Sequence, residues 1–466
     1  MISTSQRLVA RTRRHHTLPV LPNVLTRRHT SSSIPSIESH DTDNTLLTRN
    51  FIARSLYAKE NGYFTTYERK VLHAPLEKIN FNNLWGAGEY RHRIDVLYKE
   101  HAEAWLTPVE IFAPYYSHAV ARYILDSSAC WSLAKELVIY EIGGGSGSNA
   151  LYILNYLKDT VPHVYAKTKY TLIEISPVMA ERQKKRVAAV HPQQCTVLHQ
   201  DFLTFADTYK TKINTPCFVL ALEVLDNLPH DKVTLQNGKW YETVVKIQNY
   251  EDKSTTEGPV LYEAMRPLED MLIHQTLRHF GCELPLRVSY KYNTSLAQRV
   301  RRMLKNDDPV LYSSFIPTGA MQLLNTLRTV FPKHHLIAAD FDSLPAPNLD
   351  TTSPIKAIRH ELSPTATSSG TLFAGNAPLV ASKVKNVTKD HDTYLVQGGI
   401  ADIFFATDFN RLKKAYCSTL QRQPHEVSVI KSSEFLKEFA DLQKTKTITR
   451  YNPLLEDYSN TSFILS

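Results

Sequence analysis

Val138-Ile-Tyr-Glu141-Ile-Gly143-Gly-Gly145-Ser-Gly147-Ser148 decides the reading of this chain. Leu137 to Ile142 is an apolar run of strand length that carries an acid near its end, followed by G-x-G-x-G. Asn149 to Lys158 then sets Ala150, Ile153, Leu154 and Leu157 on one helical face. Strand, glycine turn and helix in that order predict the opening unit of a doubly wound α/β sheet. Glycines let the backbone turn tightly and lie close to a ligand, where a Cβ would collide.

Working outward, the alternation continues. Tyr170 to Ile175 is predicted as a second strand, and Ser176-Pro177 opens a helix with serine as N-cap and proline in the first turn. Thr196 to His199 and Cys217 to Leu222 are predicted as strands three and four. Val233 to Leu235 and Tyr241 to Ile247, joined through Asn237-Gly238, read as a hairpin. Helices are expected near 261–280, 295–305 and 318–330, the last leading into a strand at His335 to Ala339. Strand and helix character returns around Ala401 to Tyr416. The predicted organisation is a leader at 1–45, a helical N-terminal cap at 46–130 and a Rossmann-like core at 131–232. A hairpin and helical insertion returning to the sheet follows at 233–341, then a Pro/Ser/Thr-rich mobile loop at 342–375 and the C-terminal part of the same domain at 376–466.

Three acids stand just past successive predicted strands: Glu141, Glu174 and Asp201. In an open parallel sheet such positions converge on one crevice at the carboxyl edge. With Gly143, Gly145 and Gly147 they suit S-adenosyl-L-methionine. Glu141 would take the methionine ammonium, Glu174 the ribose hydroxyls and Asp201 the adenine amino group. That cofactor has no pyrophosphate, so acids beside the turn are tolerated. A nicotinamide dinucleotide is the rival, since Gly145-Ser-Gly147-Ser-Asn-Ala150 fits G-x-G-x-x-A. Glu174, however, lies 29 residues past Gly145, against the roughly 20 of that fingerprint. Phosphate-loop and G-x-S-x-G patterns are absent. After the fourth strand, Glu223 and Asp226 supply paired carboxylates that would fork-bond and orient a guanidinium, which makes them the candidate catalytic pair.

Composition narrows the partners. The net charge of +8 sits almost wholly in residues 1–37, which hold six arginines, no lysine and no acid; the rest carries 48 basic against 46 acidic residues. A nearly neutral body and the lack of an aromatic-proline tetrad argue against a nucleic-acid partner. No apolar run approaches the ~20 residues of a membrane span. The arginine-, serine- and histidine-rich leader has the composition of a mitochondrial transit peptide, placing the protein in the matrix. Five scattered cysteines without a C-x-x-C pair suggest reduced thiols and no metal site.

E-I-G-G-G-S-G at 141–147, Ile173-Glu-Ile-Ser-Pro177 with Gln183, and Leu222-Glu-Val-Leu-Asp-Asn-Leu-Pro229 together resemble the MidA family. Asn61-Gly-Tyr-Phe64, Ala338-Ala-Asp340-Phe341 and Ala401-Asp402 through Asp408-Phe409 extend the resemblance over most of the chain after residue 50. Leu222 replaces the family asparagine, Val224-Leu225 its paired phenylalanines, and Thr107-Pro-Val-Glu110 stands for its T-S-P-E. The resemblance implies a class I S-adenosylmethionine-dependent protein arginine methyltransferase of mitochondria. Its substrate would be a protein, with a respiratory complex I subunit the candidate, and its cellular role would be complex I assembly. By the same resemblance Glu141, Gly143, Gly145, Gly147 and Glu174 bind cofactor, and Glu223 and Asp226 lie at the substrate arginine. A non-catalytic assembly factor on this fold is the alternative.

Overall fold

β1 (Leu137–Ile142) alternates its side chains between two cores, Ile139 facing one and Val138 and Ile142 the other. β2 (Thr168–Glu174), β3 (Cys195–His199) and β4 (Cys217–Leu222) follow, and all six residues of β4 are buried. A strand covered on both faces needs apolar side chains throughout, which explains why β4 reads as an unbroken apolar run. β5 (His334–Phe341), β6 (Ser428–Lys431) and β7 (Thr461–Leu465) complete the sheet in the order β6-β7-β5-β4-β1-β2-β3. The run from β5 to β3 is parallel, and β7 is antiparallel to both its neighbours. This is the Rossmann-like α/β sheet expected from the sequence. Chain order reverses between β1 and β4, so the ligand crevice belongs at their carboxyl ends.

The computed structural model describes residues 44–65, 78–100, 106–128, 136–209, 211–236, 238–248, 259–282, 312–347, 374–384 and 387–466. Almost all of the leader, the helix expected at 295–305, Asn237 and most of the 342–375 loop lie outside them.

Between β4 and β5 the chain builds a second, antiparallel sheet. Asp231–Gln236 and Lys239–Gln248 form the expected hairpin. Val260–Pro267 pairs with Lys239–Gln248, Tyr312–Ile316 with Asp231–Gln236, and Thr45–Leu47 closes one edge. The helix expected at 261–280 is thus a strand followed by a shorter helix, Met271–Phe280, whose N-cap Asp270 accepts from the Ile273 amide at 2.9 Å. Eight residues against a hairpin edge gain a full ladder of hydrogen bonds, and tertiary pairing overrides a helical pattern.

The expected N-terminal cap divides. Helix Thr48–Tyr57 packs Phe51, Ile52 and Leu56 into the core of the second sheet, whereas Tyr116, Val120 and Ile124 of helix Tyr115–Ser128 cover the main sheet. Strands Leu379–Val384, Val387–His391 and Asp402–Phe404 make a third small sheet. Helix Phe409–Leu420 packs on the opposite face of the main sheet from Tyr115–Ser128. Among the described residues no helix is long and apolar enough to cross a membrane.

Candidate functional site

Gly143, Gly145 and Gly147 have φ of 62°, 52° and 83°, all left-handed. Gly147 ends the turn as N-cap of helix Ser148–Thr160, and a Cβ on it would lie 2.7 Å from Val187 Cγ2. Gly144 is needed for space instead: its Cβ would meet Leu172 Cδ2 at 2.5 Å. The turn is tied to β2 by the Gly143 amide, which donates to the Ile173 carbonyl at 2.9 Å. Below it, Glu141 is buried; its oxygens accept from Asn149 Nδ2 at 2.9 Å and Tyr170 Oη at 2.7 Å, and burial raises its pKa. Glu141 is thus tied to helix Ser148–Thr160 and to β2 beneath the turn.

Glu174, at the end of β2, accepts from the Ser176 amide and from Gln183 Nε2, each at 2.9 Å. Burial pushes its carboxyl up to about 7. The same Gln183 nitrogen donates to the Gly145 carbonyl at 2.9 Å, so one side chain joins the glycine turn to the second strand. Gln183 is held there by helix Pro177–Gln183, capped by Ser176, and by the π-helical turn Lys184–Ala188 that follows it. Asp201, past β3, accepts from the Leu203 amide at 2.8 Å, and burial raises its pKa. Tyr57 reaches in from the end of helix Thr48–Tyr57. Its buried hydroxyl is held up by burial first, then by the negative charge of Asp402, Asp226, Asp201 and Glu174. Acids at the ends of β2, β3 and β4 thus all bear electrostatically on one phenol.

Past β4 the backbone of Glu223 is left-handed at φ 55°, a conformation costing a non-glycine residue about 1–3 kcal/mol. Its amide donates to the Ala339 carbonyl at 2.8 Å. The side chain lines a cavity of about 20 Å³ with Tyr116, Asp340 and Tyr458, and burial with Asp340 and Glu110 nearby raises its pKa strongly. Asp226 caps no helix. It is 7% exposed, and its Oδ1 has no hydrogen-bond partner. Burial, then Asp340, Asp402 and Glu223, push its proton affinity well up. Asp340 Oδ2 accepts from the amides of Leu225 and Asp226 at 2.7 and 3.1 Å, fixing this loop to the end of β5. Asp340 is raised to about 6 and Asp402 to about 7, both chiefly by burial.

Five residues join the expected set: Tyr57, Glu110, Gln183, Asp340 and Asp402. Glu110 accepts from the hydroxyls of Ser146 and Ser148 in the glycine turn, and Arg186 donates to Ser146 Oγ at 2.8 Å. Four of the five lie in motifs quoted above for the resemblance; Tyr57 lies in none of them. Among the described residues no group of three or more His, Cys, Asp or Glu is arranged to hold a metal.

These walls fit S-adenosylmethionine. They offer acceptors to an ammonium, a ribose diol and an amino group, while Gln183 Oε1 beside the turn is a buried acceptor without a partner. A pyrophosphate would meet carboxylates instead. Comparison with known proteins agrees. Residues 119–428 match the model of a family of S-adenosyl-L-methionine-dependent methyltransferases. Over 240 residues the chain is 25% identical to the Protein arginine methyltransferase NDUFAF7 homolog, mitochondrial, of Schizosaccharomyces pombe, which covers 48% of each. The chain thus spans about half the length of that curated relative. Two crystal structures of a superfamily member from Burkholderia thailandensis, one bound to S-adenosyl-homocysteine, are 14% and 15% identical, with TM-scores of 0.48 and 0.47. Each comparison covers 91% of this chain, and 88% and 87% of the other. With well over half its length matched by that model, the chain belongs to the S-adenosyl-L-methionine-dependent methyltransferases, a class I enzyme fold whose cofactor is S-adenosyl-L-methionine.

Proposed function

We propose that this methyltransferase acts on the guanidinium of a protein arginine in the mitochondrial matrix, in support of respiratory complex I assembly. One observation carries the substrate: Asp226, a buried carboxyl with an oxygen lacking a partner, lies among Asp340, Asp402 and Glu223. Carboxyls crowded out of water resist ionising together, and a delocalised cation with several N–H donors relieves both problems at once. The arginine-rich leader and the name of the Schizosaccharomyces pombe relative support the compartment and the arginine.

Glu174, Asp201 and the glycine turn at 143–147 would hold the cofactor, with Glu141 bracing the turn from below. Bound there, S-adenosylmethionine supplies a methyl carbon on a positively charged sulfur. Asp226 orients the guanidinium so that one nitrogen presents its lone pair. As that nitrogen gains a methyl it gives up one N–H proton, and a carboxyl with raised proton affinity is suited to receive it. The product keeps its single positive charge.

Two measurements test the proposal. With the purified full-length chain, Asp226→Asn should lower methyl transfer to mitochondrial protein about 100-fold or more, with affinity for S-adenosylhomocysteine within about twofold of wild type. Mass spectrometry of mitochondrial methylarginine with and without the gene should show a site-specific loss. The same methylarginine inventory in both would end the arginine reading.

A further inference from the structure

Away from the crevice and the glycine turn, acids drawn into the interior are given bases. Arg49 pairs with Asp231 at 2.8 Å and Asp270 at 2.7 Å, Lys232 with Glu263 at 2.8 Å, and Arg266 with Glu242 at 2.6 Å. Asp226 and Asp402, 7% and 8% exposed, are different: among the described residues neither has a lysine or arginine ion-paired to it. They are nonetheless locked side by side. Asn227 Nδ2 donates to Asp402 Oδ1 at 2.8 Å and to the Ile403 carbonyl at 3.3 Å, and the Phe405 amide donates to the Asp226 carbonyl at 2.9 Å. Tyr57 Oη donates to the Asn227 carbonyl at 3.3 Å, and its ring stacks on Phe64 with centroids 5.8 Å apart. Ser176, two residues past Glu174, in turn donates to the Phe64 carbonyl at 3.0 Å. A chain of contacts thus runs from the cofactor end of the crevice to the acids past β4.

Glu223 bears on Asp226 electrostatically but joins none of these hydrogen bonds. The cavity that it lines with Tyr116, Asp340 and Tyr458 includes neither Asp226 nor Asp402.

We propose that Asp402, rather than Glu223, shares the substrate cation with Asp226, and that Tyr57 positions the pair by holding Asn227. The inference rests on the arginine reading and sharpens it: two carboxyls from distant segments bind the charge, and the residue between them is anchored from the N-terminal helix. Removing the unpartnered oxygen of Asp226 would leave Asp402 alone with the cation; removing Asp402 would do the converse. A lysine ammonium, a point charge with three donors, would use the two carboxyls less fully than a planar guanidinium.

The test uses the full-length chain saturated with S-adenosylhomocysteine, titrated calorimetrically with Nα-acetyl-arginine amide and with the lysine amide. Wild type should prefer arginine. Asp402→Asn should weaken arginine binding about tenfold or more, Asp402→Glu should restore part of it, and Glu223→Gln should change it less than about threefold. Tyr57→Phe should reduce the arginine-over-lysine preference while leaving affinity for S-adenosylhomocysteine unchanged. Wild-type binding by Asp402→Asn overturns the proposal for Asp402, and an unaltered preference in Tyr57→Phe overturns that for Tyr57. Loss of S-adenosylhomocysteine affinity in both Asp402 variants overturns it in favour of a structural role. A wild type that binds no arginine amide overturns the arginine reading, and this inference with it.

Discussion

Gly147 combines two demands that only a glycine side chain satisfies: a left-handed φ of 83° and a Cβ position 2.7 Å from Val187 Cγ2. Gly147→Ala should cost about 1–3 kcal/mol of stability through backbone strain and more than tenfold in S-adenosylhomocysteine affinity. Thermal unfolding and calorimetry would measure the two effects, and alanine tolerated in both would mean that the turn is not held as described. Glycine spacing is a local property, so the turn was legible in the sequence. The fate of Glu141 was not. Its place before the glycines does not reveal that Asn149 and Tyr170, from the next helix and the next strand, donate to its oxygens.

Among the elements, helix Thr48–Tyr57 has the most distant consequences. It is anchored by Arg49, 3% exposed, between Asp231 of the second sheet and the N-cap Asp270 of helix Met271–Phe280. Burial disfavours the guanidinium's charge, but the two carboxylates outweigh that and hold it protonated. Arg49→Ala removes the base that Asp231 and Asp270 share, and should destabilise the protein by about 3–5 kcal/mol in urea unfolding. A loss below about 1 kcal/mol would show that the pair contributes no more than surface ion pairs do. β1 to β4 were legible because each is short, apolar and bounded by turn residues. Strand Val260–Pro267 was not, because its hydrogen bonds go to Lys239–Gln248, a partner its own sequence does not reveal. β6 and β7 likewise take their places only through β5, about ninety residues or more upstream.

Across the whole molecule, the buried titratable groups set how stability depends on pH. Asp402 and Glu174 are pushed up to about 7 and Asp340 to about 6, against about 4 in an unfolded chain. Between those values the fold binds more protons than the unfolded state, so each contribution is complete below the unfolded pKa and is lost as pH rises through the folded one. His118, His230 and His334, lowered to about 4 mainly by burial, act in the opposite sense between about 4 and 6.5. The net curve is therefore a difference, and a variant isolates one component. Asp402→Asn should gain on wild type from pH 4 to about 7 and then level off, by about 4 kcal/mol in all. Urea unfolding at several pH values would show it; a margin independent of pH would mean that Asp402 ionises in the fold as it does in water.

Local chemistry alone determined the glycine turn, the first four strands and their helices, the acids beyond three of those strands, and a family resemblance spread over short motifs. These follow from backbone sterics and from side-chain periodicity, which act within a few residues. Only the tertiary structure decided which acids share a crevice. Asp226 and Asp402 are 176 positions apart, and Tyr57 is further still from Asp402. What joins them is the closure of three sheets around one carboxyl edge, where the burial that stabilises the fold also strips water from the carboxyls it brings together.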